Sequence, residues 1–328
     1  AVHAALDIGL VILRHALILS IFDHGRGAGQ GAADGGEAVR RQDAVQARDG
    51  PVRLDEVTVL RFEYPTRYPA PDPEHNWADL YLPAGDQKVD SIPLAVLIHG
   101  GSWHKESGAG SFDHLARDLA SRGMAVYNVE YRQYPDGGVG TSVADGFAAY
   151  RELLDSGDFD RILVAGDSAG GFVCAKVIQY AAEAGIQGPT AFAGFSPFLD
   201  ISAGLPRSSR HDAMLPLGKI RKLRTVLGRG PEELRGPEDM TTDATARYFP
   251  PSILFAASRE ALELDSLELH AALDRAGVEN EVHVYDGQVH AFVVSAGLTP
   301  ESWAAYKTAV AFLSEHLTEA EESRSEAA

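Results

Sequence analysis

The chain is poor in cysteine: Cys174 is the only one among 328 residues. That excludes an intramolecular disulfide framework and any thiolate zinc cluster. It is also short of positive charge, with 29 Lys and Arg against 47 Asp and Glu, a formal net charge of -18. A field of that sign repels nucleic acid and anionic membrane surfaces, which argues against a polyanion-binding role. Long apolar runs are scarce. The main candidate, Ala5 to Phe22, is interrupted by Asp7, Arg14 and His15, and ionisable groups near the centre of a bilayer are costly. It also lacks the basic flank and small-residue cleavage pattern of a secretory signal. An amphipathic helix lying over the protein is the expectation, with membrane or interfacial attachment the weaker alternative. The missing signal and the single cysteine together lead us to expect a cytoplasmic protein. No internal repeat recurs at a fixed period.

What is present is globular in composition, 45% hydrophobic and 23% charged, close to the average for soluble domains. A chain of this length buries about three quarters of the surface its unfolded form exposes, so a core needs no staples. Residues 1–50 read as the apolar segment followed by a Gly/Ala-rich linker, Gly25 to Gly50, and are a candidate cap. Residues 51–318 read as the main domain, within which 201–249 is a second candidate cap contribution. Residues 319–328, with Glu319, Glu321, Glu322 and Glu326, read as a solvated acidic tail.

Within the main domain, strands and helices alternate. Val52 to Tyr64 and Ala78 to Leu82 carry strand-type spacing. Leu94 to Ile98, Met124 to Val129, Ile162 to Ala165, Ala191 to Phe195 and Ile253 to Ala257 are short, continuous apolar runs, and Glu281 to Tyr285 is a more exposed last strand. Continuous apolar strands mean burial on both faces, the mark of a parallel sheet. Helices are expected at Phe112 to Ser121, Val143 to Leu154, Ala169 to Ala184, Leu264 to Ala276 and Ser302 to Leu317. This alternation argues for an α/β, doubly wound, mostly parallel sheet flanked by helices. Ligands of such sheets sit beyond the carboxyl ends of the strands, so the chemistry belongs just after each apolar run.

Gly166-Asp167-Ser168-Ala169-Gly170 occupies that position after Ile162 to Ala165. A strand-to-helix turn of this composition projects the Ser168 hydroxyl above the sheet, over a helix N-terminus. A serine needs a base to take its proton. Of the 12 histidines, His290 follows the last strand across Asp286-Gly287-Gln288; His283 lies within that strand and reads as structural. The carboxylate that would hold the imidazole belongs after Ile253 to Ala257, where Glu260, Glu263 and Asp265 stand. Glu260 is nearest the strand end and is favoured; Asp265, the alternative, reads as a helix-start residue. His99-Gly100-Gly101-Ser102-Trp103 follows Leu94 to Ile98. Its glycines let the backbone face a reacting carbonyl, and the N–H groups of Gly101 and Ser102, with that of Ala169, would hold an oxyanion. Gly100, Trp103 and Asp167 are expected at the substrate, with Trp103 either beside the acyl pocket or a core tryptophan.

Together these motifs resemble the hormone-sensitive-lipase-like branch of the α/β-hydrolase superfamily, bacterial carboxylesterases in particular, over roughly Val52 to Leu317. His99-Gly100-Gly101 is similar to that branch's oxyanion motif, and Gly166-Asp167-Ser168-Ala169-Gly170-Gly171 to its extended serine elbow. Tyr131-Arg132 with Pro135, Ser196-Pro197-Phe198-Leu199-Asp200, and the loop Tyr285 to Phe292 resemble three further family segments. The resemblance implies the α/β-hydrolase fold, and a serine carboxylesterase that acts on small-molecule esters of short or medium acyl chains. It implies no metal and no organic cofactor, and a homodimer as a candidate assembly. Two departures stand out: Ser102 replaces the last glycine of the usual oxyanion motif, and Ser102-Trp103 also resembles kynurenine-formamidase-like hydrolases. Amide cleavage, and a non-catalytic binding protein on the same fold, are the rival readings.

Overall fold

The structure, a computed structural model, describes residues 57–63, 77–83, 94–103, 112–156, 161–202, 212, 214–215, 227, 233–295 and 298–325. The expectations for residues 1–50, and those for most of 203–232, lie outside these residues. The strands are β1 (Thr58–Glu63), β2 (Trp77–Leu82), β3 (Leu94–Ile98), β4 (Ala125–Val129), β5 (Ile162–Asp167), β6 (Ala191–Phe195), β7 (Ser252–Ala257) and β8 (Asn280–Tyr285). They form one sheet of eight strands in the order β1-β2-β4-β3-β5-β6-β7-β8. β2 pairs antiparallel with β1 and β4, and every pairing from β4 through β8 is parallel.

The helices are α1 (Asp113–Ser121), α2 (Val139–Ser156), α3 (Ala169–Ala184), α4 (Asp243–Ala246), α5 (Glu263–Ala276) and α6 (Pro300–Ser325). They cover both faces, and the continuous apolar strands supply a core to each. In β3, Leu94, Val96 and Ile98 pack with residues of α2, α3 and α5, such as Tyr150, Val173 and Leu269. Ala95 and Leu97 point the other way, toward α1 and α6 through Leu115, Leu119, Tyr306 and Leu313. Burying each large apolar side chain contributes about 1.5–3 kcal/mol, so a run that is apolar at every position is stable only between two helical layers.

Two helices depart from expectation in length. α2 starts at Val139, inside a stretch whose glycines look like a loop; there the Ser142 hydroxyl donates to the carbonyls of Arg132 (2.7 Å) and Gly138 (3.2 Å). α6 starts at Pro300 and runs to Ser325, through part of the segment read as a solvated tail. Its start is fixed by a reciprocal pair of bonds: Ser302 N–H donates to Thr299 Oγ1 (3.0 Å), and Thr299 N–H to Ser302 Oγ (3.2 Å). Proline at the first helical position sacrifices no internal bond.

After β6 the chain leaves the sheet and comes back beside its point of departure. Ile201 N–H donates to Glu238 O (3.0 Å) and Met240 N–H to Leu199 O (2.9 Å). Lys176 of α3, fully buried, reaches the returning strand from below, donating to the carbonyls of Arg235 (2.6 Å) and Pro237 (3.1 Å). Among the described residues, no helix is long and apolar enough to cross a membrane.

Candidate active site

The strand order reverses at β3, which lies between β4 and β5, so the carboxyl ends of β3 and β5 flank the crevice such a reversal opens. Ile98 pairs with Gly166. The loop starting at His99 and the turn holding Ser168 therefore emerge side by side.

Ser168 has φ 49° and ψ -121°, a backbone state that costs a residue with a side chain on the order of 1–3 kcal/mol. Three bonds hold it there: Ser168 N–H donates to Phe195 O (3.1 Å), and Ser168 O accepts from the N–H groups of Gly171 (3.0 Å) and Phe198 (2.8 Å). The neighbouring glycines are there because no side chain fits. A Cβ on Gly166 would lie 2.7 Å from the Gly170 backbone, one on Gly171 2.5 Å from Pro197, and one on Gly170 would collide with the carbonyls of Ile98 and His99. α3 is thus pressed against the end of β3 as well as β5, and its first N–H groups point toward the turn.

The loop after β3 also passes through the left-handed region, at Gly101 (φ 112°), Ser102 (φ 58°) and Trp103 (φ 55°). Gly100 N–H donates to Asp167 Oδ1 (2.7 Å). None of the loop and turn hydrogen bonds among the described residues engages the N–H groups of Gly101, Ser102 or Ala169. Asp167 is buried, which raises its pKa, while the Gly100 N–H and the His99 and His290 rings act to lower it.

The three residues expected at the substrate make contacts within the protein. Gly100 and Asp167 are engaged with each other, so they fasten the loop to the turn. Trp103 is fully buried, packed against Phe172 (ring centroids 6.1 Å apart) and Phe198 (5.4 Å), and its indole Nε1 has no hydrogen-bond partner among the described residues.

At the ends of β7 and β8 stand the carboxylate and the histidine expected as acid and base. His290 Nδ1 lies 2.7 Å from Glu260 Oε2, and Glu260 Oε1 accepts from Ala257 N–H (2.9 Å). Glu260 is 3% exposed, so its carboxylate is held by these contacts and not by water. Asp265 is taken up elsewhere: its Oδ2 accepts from the N–H groups of Leu199 (2.7 Å) and Asp200 (2.9 Å). His283 stacks on Phe255. The histidine loop is tied to the serine's side of the sheet by Ala291 N–H donating to Ser196 Oγ (3.0 Å). No hydrogen bond joins Ser168 Oγ to His290 among the described contacts; such bonds commonly tighten only around substrate. A cavity of about 430 Å³ borders the pair, lined by Asp212, Arg259, Glu260, Asp286, Val289 and His290 among others.

Sequence reasoning missed Asp212, whose Oδ2 accepts from Ala261 N–H (2.7 Å) just behind the acid; nothing in its local sequence points across that distance. It also missed Ser196, although Ser196-Pro197 was noted as a family segment. Cys174 is buried, which keeps its thiol protonated and unreactive. Among the described residues, no group of three or more His, Cys, Asp or Glu side chains is arranged around a common ion position.

Comparison with known proteins agrees with this fold. A family model described as the alpha/beta hydrolase fold matches residues 95–294. An esterase of Mycobacterium tuberculosis, LipU, is 31% identical over 69% of this chain and 79% of its own length. An acetyl-hydrolase of Streptomyces hygroscopicus is 30% identical over 66% of this chain and 74% of its own. The crystal structure of carboxyl esterase 2 from the fungus Tuber melanosporum superposes with a TM-score of 0.68 at 21% identity, covering 87% of this chain and 99% of that one. The chain belongs to the α/β-hydrolase-fold family, with the hormone-sensitive-lipase-like carboxylesterases its motifs resemble.

Proposed function

We propose that the chain is a serine carboxylesterase for short- to medium-chain acyl esters, with Ser168 as nucleophile, His290 as base and Glu260 as the carboxylate that orients it. Family membership and the esterase relatives make the chain a carboxylic ester hydrolase. The observation that carries the assignment of roles is the 2.7 Å contact between Glu260 and His290, on the same edge of the sheet as the strained Ser168.

In this reading His290 takes the Ser168 proton through its Nε2 as Oγ attacks the ester carbonyl. Glu260, fixed by Ala257 N–H, accepts from Nδ1 and stabilises the imidazolium. The carbonyl oxygen becomes an oxyanion held by the N–H groups of Gly101, Ser102 and Ala169, none of which engages a loop or turn partner among the described residues. His290 then passes its proton to the leaving alcohol, and water, deprotonated by the same nitrogen, releases the acid from Ser168.

Initial rates on p-nitrophenyl esters from acetate to palmitate, with p-nitroanilides alongside, test this in wild type and Ser168→Ala. Turnover that peaks at short chains and vanishes in the variant is expected. A peak at palmitate overturns the chain-length reading, and anilide turnover above ester turnover moves the activity to amides. A folded wild type inactive on every substrate removes the esterase reading.

A further inference from the structure

The ring of His99 is not a member of the triad, yet both of its nitrogens are occupied by acceptors. Nδ1 lies 2.7 Å from the carbonyl oxygen of Gly100, and Nε2 lies 3.1 Å from Glu130 Oε2. A carbonyl oxygen accepts only, and a neutral imidazole has one N–H to give. A neutral ring would therefore set a lone pair against one of the two oxygens, unless the missing proton sat on Glu130. His99 is 1% exposed and stacked on Tyr131 (ring centroids 4.8 Å apart), so water does not supply the missing partner.

The acceptor at Nδ1 matters because the Gly100 carbonyl and the Gly101 N–H are two ends of one peptide group. That carbonyl also receives the Tyr131 hydroxyl at 3.3 Å, and the same hydroxyl donates to His99 O at 2.7 Å. Donors on a peptide oxygen polarise the group and strengthen its N–H as a donor. We infer that His99 is held as an imidazolium by Glu130 and acts as a positioning residue, polarising the Gly100–Gly101 peptide so that Gly101 N–H binds the oxyanion more strongly. This rests on the esterase reading above for its consequence in turnover, but not for the charge itself.

The surroundings bear on that charge from three sides. Glu130, at the end of β4, faces Nε2 directly. Asp167, at the end of β5, adds negative charge from the neighbouring turn, and His290 lies beyond it, near enough to act on Asp167 in turn. Arg132, next along from Tyr131, is engaged with Asp145 through Nε (2.8 Å) and Nη2 (2.5 Å). Burial disfavours charge on His99, and the hydrogen bond and charge of Glu130, the Gly100 carbonyl and Asp167 outweigh it, raising its pKa. A cation here has a further use: Asp167 lies beside Gly100 N–H, and any negative charge on its carboxyl would oppose the developing oxyanion.

Two measurements decide the matter. In protein labelled with 15N-histidine, two-bond nitrogen–proton correlations distinguish imidazolium from either neutral tautomer, with the His99 signals assigned by their displacement in Glu130→Gln. The expected result is the imidazolium pattern at pH 7, persisting above the ordinary histidine pKa; a neutral pattern at pH 7 overturns the inference. In parallel, Glu130→Gln is expected to lower kcat about tenfold with KM unchanged, less than the 10²–10³-fold cost of losing an oxyanion donor outright.

The sign for pH follows from the raised pKa. On this account the wild-type rate falls as pH rises through that pKa, and in Glu130→Gln this alkaline limb moves to lower pH, with Glu130→Asp restoring part of the shift. An unchanged limb, or a loss of activity that tracks a loss of folded protein in circular dichroism, overturns the polarising role. A wild type that turns over no ester while His99 is cationic sinks the esterase reading and leaves the charge standing.

Discussion

The two halves of the site are held in place by different means. At the ends of β3 and β5, the serine turn and the loop beside it are fixed by crowding. Glycines occur where a Cβ would strike backbone, and several residues with side chains are forced through positive φ. At the ends of β7 and β8, a Cβ on Gly287 would meet nothing, and although Arg259 and Ala291 also take positive φ, the acid and histidine loops are tied mainly by polar contacts, among them Glu260 to Ala257 N–H, Asp212 to Ala261 N–H, and Ser196 to Ala291 N–H. The difference matches what each half would do in the proposed mechanism. A nucleophile and an oxyanion hole must be in position before substrate arrives, because their value lies in preorganisation. A base that serves first a serine, then an alcohol, then a water needs some freedom to re-aim.

The largest expected effect removes the nucleophile itself: Ser168→Ala should lower kcat by roughly 10⁶-fold, as loss of such a serine does elsewhere, while its melting temperature stays at or above wild type, since the alanine carries no catalytic duty. Next is Glu260→Gln, which leaves the shape intact but offers His290 the wrong partner; a loss of about 10²–10⁴-fold in kcat is expected by analogy with other triads. Asp265→Asn is its control. It should cost about 1–3 kcal/mol of stability by weakening the bonds to Leu199 and Asp200 N–H, with kcat on p-nitrophenyl acetate unchanged in the folded fraction. Equal losses of kcat in the two variants would contradict the assignment of the acid.

Two further variants probe the contrast directly through denaturant unfolding. Gly170→Ala drives a methyl group into the carbonyls of Ile98 and His99, and should cost about 3 kcal/mol or more because backbone on both sides must shift. Ser196→Ala removes one partner of Ala291 N–H and should cost about 1–3 kcal/mol, with a modest fall in kcat as the histidine loop loosens. If Ser196→Ala proved as damaging to stability as Gly170→Ala, the division between a packed half and a tethered half would not hold.

Much of this was legible in the sequence, and unevenly so. The parallel strands could be read because burial on two faces leaves no polar position, as in Leu94 to Ile98 and Ile162 to Ala165. The serine turn could be read because its glycines answer a steric demand that is local in the chain. Glu260 and His290 followed from where strand ends must lie. Contacts between residues far apart in sequence were not legible. Nothing around Asp212 announces that it caps Ala261 N–H, nothing around Asp167 says that its carboxylate turns back to Gly100, and the pairing of His99 with Glu130 depends on β3 and β4 lying side by side. The start of α2 was hidden by glycines, and the length of α6 by acidic residues that suit a solvated helix as well as a tail.

The point where the chain leaves the sheet after β6 and rejoins it has a consequence of its own. Leu199 and Ile201 are laced to Met240 and Glu238, and Lys176 fastens the returning strand from beneath. Closing a loop costs little more as it lengthens, so a stem tied this firmly lets the frame tolerate a change in the length of chain between its ends, provided that Asp212 still reaches Ala261 N–H and Leu215 still fills its place in the core.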